Sequence, residues 1–116
     1  MKSTKLFLAA MLLSAASFNA FAFGAIAVDD EAGSTDVGYG VVVGMDSQEE
    51  AKAAALKECK SAGNSCKVAL WFKKCGAYAN SKEHSGIGYG DTKAIASSEA
   101  LAACGSDCKV QVAECE

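Results

Sequence analysis

Residues 46–59 read DSQEEAKAAALKEC and residues 91–104 read DTKAIASSEALAAC. Asp46 aligns with Asp91, Ser47 with Thr92, Ala51 with Ala96, Ala55 with Ala100, Leu56 with Leu101 and Cys59 with Cys104, without a gap, at one offset of 45. Asp46 followed by Glu49, or Ser47 followed by Glu50, makes a capping-box pattern. In that pattern a side-chain oxygen accepts orphan amide hydrogens and the acid three positions on answers back, so a helix is predicted to start there. Ala51, Ala55, Leu56 and Cys59 fall on one stripe, with Lys52, Lys57 and Glu58 toward water. A stripe built mainly of alanine predicts a helix lying close against a sheet.

The flanks extend the duplication. GAIAV from Gly24 matches GAYAN from Gly76 at an offset of 52, and GYGVVVG from Gly38 is answered by GIGYG from Gly86. After the helices, CKVALWFKKC from Cys66 to Cys75 matches CKVQVAEC from Cys108 to Cys115 at an offset of 42. The offsets change where loops absorb insertions. CKVALWFKKC sets Val68, Leu70 and Phe72 on one face against Lys67, Ala69, Trp71 and Lys73 on the other, the two-residue period of a strand, and Val110 and Val112 repeat it. Each copy therefore reads as strand, strand, helix, strand, with repeat one at about 24–75 and repeat two at about 76–115. The predicted class is α+β: one shared sheet of about six strands with two Ala-rich helices on one face. A single copy is too short to bury a stable core alone.

The amino terminus carries the compartment. Lys2 and Lys5 precede an apolar run from Leu6 to Ala22 that ends in Ala20-Phe21-Ala22, an A-x-A cleavage pattern, so residues 1–22 are expected to be a signal peptide cut before Phe23. Ser14, Ser17 and Asn19 interrupt the run and no basic stop-transfer group follows, which argues against a retained membrane helix. Removing 22 of the 116 residues leaves 94, one small domain, with nine lysines against 14 acids and a net charge of −5. That balance disfavours nucleic acid. With 51% apolar residues and no proline, the composition is globular. The expected destination is periplasmic or secreted. There Cys59, Cys66, Cys75, Cys104, Cys108 and Cys115 read as three disulfides rather than as metal ligands, because no pair has zinc-knuckle spacing and His84 is the only histidine. Six cysteines permit 15 connectivities. The repetition favours Cys59 with Cys66, Cys104 with Cys108 and Cys75 with Cys115, because that set treats both halves alike.

A GAIA-type opening, an acid-capped Ala-rich helix ending in Cys, a Cys-Lys-Val strand, then a second GAxA opening, a helix ending in AACG and a second Cys-Lys-Val resemble domain-of-unknown-function family 4189. The likeness runs from Gly24 to Cys115. It implies a small exported bacterial αβ domain rich in cysteine, and it hands over no activity, ligand or site residues. One departure is that three valines, Val41 to Val43, stand in the first copy near where the second has GIGYG.

Four features invite chemistry. His84 in NSKEHSG reads as a solvated loop histidine, since no nucleophile context accompanies it. The glycine clusters at 38–40 and 86–90 lack a Walker lysine and G-x-G-x-x-G spacing, so they read as turns or tight strand packing. Asp29, Asp30, Glu31 and Asp36 lack a calcium-loop spacing and read as a solvated acidic loop. With Val68, Leu70 and Phe72 toward the helices, Trp71 is expected on the opposite side of the sheet, rimmed by Lys67 and Lys73, and is the candidate contact surface for a protein or glycan partner. No catalytic set, cofactor or metal is expected. The foremost functional class is a non-enzymatic binding module; the alternatives are an inhibitor or immunity protein against an envelope hydrolase, and an uncharacterised enzyme.

Overall fold

A computed structural model of the chain describes residues 22–29, 38–60 and 65–116. The signal-peptide reading and the acids Asp30, Glu31 and Asp36 lie outside the described residues. The elements run β1 (Phe23–Asp29), β2 (Gly38–Met45), α1 (Gln48–Lys60), β3 (Lys67–Phe72), β4 (Cys75–Asn80), β5 (Ser85–Gly90), α2 (Lys93–Cys104) and β6 (Lys109–Cys115). Ser47 Oγ accepts the Glu50 amide at 3.1 Å and Thr92 Oγ1 accepts the Ile95 amide at 3.1 Å, so the hydroxyl residue after each aspartate caps its helix. At the far end of α2 the Gly105 amide donates to the Leu101 carbonyl at 3.0 Å.

The strands form two separate three-stranded antiparallel sheets, ordered β2-β1-β3 and β5-β4-β6. The expected single sheet of six strands with both helices on one face is thereby corrected; the α+β class stands. The cause is side-chain size. β1 and β4 alternate small and large residues, and the small ones face the helices: Ala25 and Ala27 pack against Ala51, Ala55 and Cys59 of α1, and Ala77 and Ala79 against Ala96, Ala100 and Cys104 of α2. The large ones, Ile26 and Val28 with Leu70 and Phe72 from the first sheet and Tyr78 and Val112 from the second, form a third cluster between the sheets. In a one-sheet arrangement that large apolar face would meet water, at a cost of about 1.5–3 kcal/mol per side chain. A second sheet covers it.

Each helix sits directly on glycine. A Cβ at Gly40 would run into the Ala55 carbonyl oxygen and the Cys59 amide nitrogen, and one at Gly88 into the Ala96 carbonyl oxygen and the Ala100 amide nitrogen. Both contacts are backbone atoms of a helix, which cannot swing aside as a side chain would. Gly88→Ala should therefore lower stability by about 1–3 kcal/mol by forcing α2 off the sheet. Urea denaturation of the oxidised protein checks this, and an unchanged midpoint would contradict the close packing.

Three disulfides hold the layers together. Cys59–Cys66 staples the end of α1 to the approach to β3, Cys104–Cys108 does the same between α2 and β6, and Cys75–Cys115 joins directly paired residues of β4 and β6. The halves also meet through Glu116, whose amide donates to the Lys74 carbonyl at 2.8 Å while its Oε1 accepts the Gly44 amide at 2.6 Å.

Candidate functional site

Trp71 does not face away from the helices. In β3 the register slips by one residue between Ile26 and Ala27, so Leu70 pairs with Ile26, Val68 with Ala27, and Ala69 is the extra residue of a bulge. The simple alternation expected for CKVALWFKKC is broken there. Leu70 and Phe72 point between the sheets, Val68 shares the face of Ala27, and Trp71 packs half-buried on the α1 side with Ala25 and Ala51. Lys67 pairs with Val28, on the other face and roughly 13 Å along the strand at the usual rise. The expected trio of Trp71, Lys67 and Lys73 is thus split: Lys73 stays with Trp71 and Lys67 does not.

What replaces the trio is a cluster at the Phe23 end of the molecule. The Phe23 and Trp71 rings lie 6.1 Å apart, tilted by 46°, and Lys73 Nζ stands 5.3 Å from the Phe23 ring centroid. With the Gln48 amide turned to satisfy both neighbours, its oxygen accepts Lys52 Nζ at 2.7 Å and Trp71 Nε1 at 3.2 Å. The indole nitrogen is therefore held against the first turn of α1. Beside this cluster a groove of about 320 Å³ runs along Phe72, Lys73, Lys74 and Cys75 to Tyr89 and Asp91. Tyr89 is 49% exposed and Lys74 Nζ reaches Asp91 Oδ1 at 3.1 Å, both partners well solvated. Such an exposed pair contributes little to stability. Aromatic rings and lysines gathered at one end suit a partner that offers apolar or hydroxylated surface together with negative charge.

At the opposite end of the second sheet a larger cleft, about 560 Å³, opens between the β4–β5 turn and the α2–β6 turn. One wall carries Ser81, Lys82, Glu83 and His84, the other Ser106, Asp107 and Lys109, and Asn80 lies at its base. The β4–β5 turn is set by Ser81, whose Oγ accepts the His84 amide at 3.1 Å and whose own amide donates to the His84 carbonyl at 2.9 Å. His84 is exposed, as a loop histidine. Asn80 is 3% exposed, and its Oδ1 accepts Gln111 Nε2 at 2.8 Å. Gln111 is the extra residue of a bulge in β6, since Val112 pairs with Tyr78 and Val110 with Ala79. Sequence reading passed over this pair, although the signal was present: GAIAV against GAYAN puts Asn80 opposite Val28, and CKVA against CKVQ puts Gln111 opposite Ala69.

Asp29 of the acidic loop accepts the Ser65 amide at 3.2 Å through Oδ2. The glycine clusters lie in β2 and β5 beneath the helices, a packing role. Among the described residues no three His, Cys, Asp or Glu side chains are grouped to hold a metal ion, and no helix is long and apolar enough to cross a membrane. No curated protein and no solved structure matches the chain. The family model described as Domain of unknown function (DUF4189) matches residues 23–115, and the chain, with its alanine-striped helices, twin Cys-Lys-Val strands and three disulfides, belongs to that family.

Proposed function

We propose that the protein is an exported, non-enzymatic binding module, working in the periplasm or outside the cell, and that its contact surface is the end formed by Phe23, Trp71 and Lys73 with the adjoining Tyr89 groove. The observation that carries this reading is the half-buried Phe23–Trp71 pair with Lys73 at 5.3 Å from the Phe23 ring, on a protein that is otherwise acidic. Large aromatics beside a cation concentrate binding energy at protein and glycan interfaces. Three disulfides on so short a chain suit an oxidising compartment. The duplicated sequence supports a single unit whose two halves present different surfaces, since Ala113 stands in β6 where Trp71 stands in β3.

Trp71→Ala should weaken partner binding by about 2 kcal/mol or more while lowering stability by about 1–2 kcal/mol, the share of a half-buried ring. The check is parallel affinity capture from envelope extract and culture fluid with wild-type and Trp71→Ala protein, followed by titration of the retained partner against Trp71 fluorescence. A partner held equally by both proteins, with unmoved emission, would rule out this surface.

A further inference from the structure

Independently of the aromatic end, we infer that the cleft at Asn80 is a binding site for a zwitterionic ligand of about dipeptide size. Two observations carry this. The first is the amide pair at its base. Burying an amide costs free energy unless it is fully hydrogen-bonded, and the same fold manages without one: at the offsets that align the two halves, Val28 and Ala69 stand where Asn80 and Gln111 do. Packing alone does not call for polar residues at that spot. The Gln111 contact commits Asn80 Oδ1 to the protein, and the Asn80 side chain it fixes lines the cleft.

The second is the charge arrangement. Each wall carries one cation and one anion, Lys82 with Glu83 and Lys109 with Asp107, so the cleft is neutral on a protein whose net charge is −3 over the whole chain. A simple anion would meet two carboxylates there, and a simple cation two ammonium groups. A ligand with a carboxylate at one end and an ammonium at the other satisfies both walls. Among the described residues, no Phe, Tyr or Trp lines the cleft for a sugar ring to stack on. Asp107 holds a backbone φ of 61°, the one positive value among the described non-glycine residues. Asp adopts that conformation more readily than most residues.

The test is an amide-resolved NMR titration of the oxidised, signal-free protein with three probes: diglycine, N-acetylglycine, which lacks the ammonium, and glycinamide, which lacks the carboxylate. Diglycine should shift the Asn80 side-chain amide and the His84 and Asp107 backbone amides saturably, and bind at least about tenfold more tightly than either half-probe. Asn80→Val with Gln111→Ala, which copies the first half, should weaken diglycine about tenfold and leave the distant resonances of β1 and α1 in place. Asp107→Asn and Lys109→Gln should each do the same, and they keep the assay informative if the double variant folds poorly. Absence of saturable shifts at millimolar diglycine, equal response to all three probes, or unchanged affinity in the folded variants would overturn the proposal.

Discussion

Phe72→Ala is expected to lower the free energy of unfolding by about 3–5 kcal/mol, the usual cost of emptying a buried aromatic site. Phe72 is 2% exposed and sits between the sheets with Ile26, Leu70 and Tyr78, so neither helix can move in to fill the void. The ring also marks how close the sheets come: a Cβ at Gly76 of β4 would fall 2.5 Å from Phe72 Cδ1 and 2.9 Å from Leu70 Cδ1. Gly76→Ala alone should therefore destabilise by about 1–3 kcal/mol, and part of that loss should vanish in the Phe72→Ala background, where the clash is gone. Urea unfolding of the four proteins in the cycle measures the coupling. Strict additivity, or a loss below about 1 kcal/mol for Phe72→Ala, would mean that the sheets do not pack face to face.

Removing the Cys75–Cys115 bridge, with both residues changed to Ala, should cost about 2–4 kcal/mol, and removing Cys104–Cys108 in the same way should cost less. The separations are 40 and 4 residues, and the chain-entropy model makes the difference about 2 kcal/mol. Location adds to it. Cys75 is 3% exposed, and the bridge ties together the ends of β4 and β6, whereas Cys108 lies just outside β6 at a turn. Unfolding midpoints of the two bridge-deleted proteins against wild type give the ranking. A larger loss at Cys104–Cys108 would show that local geometry rather than loop closure sets the contribution.

The small-residue face of each helix was legible in the sequence, and which face of which sheet it covers was not. A hydroxyl residue two places before Glu49 and an alanine stripe ending in Cys59 specify a short helix and its small-residue face, because capping and periodicity act over a few residues. Trp71 does lie opposite Leu70 and Phe72, as the alternation says, but those large side chains meet the second sheet and leave Trp71 on the α1 side. The bulge at Ala69 turns Lys67 to the face of Val28 and so parts it from Trp71, and a bulge is settled by the strand it pairs with. The Asn80–Gln111 pair was overlooked because strand-forming patterns tolerate a polar residue on either face. Only the packing of the second sheet against the first makes that face an interior.

By itself, the sequence determined the element order, a helix start at Asp46 or Ser47 with its counterpart at Asp91 or Thr92, the small-residue faces and the resemblance of residues 24–115 to a family, since these depend on propensity, capping and spacing along the chain. Tertiary structure alone decided that the strands divide into two sheets, that Phe72 and Tyr78 meet between them, that Trp71 turns to α1 beside Phe23, and that Lys82, Glu83, Asp107 and Lys109 line one cleft over Asn80. The physical reason is burial. Which face of a strand is inside depends on what covers it, and the large face of β1 is covered by β4, roughly fifty residues further along the chain.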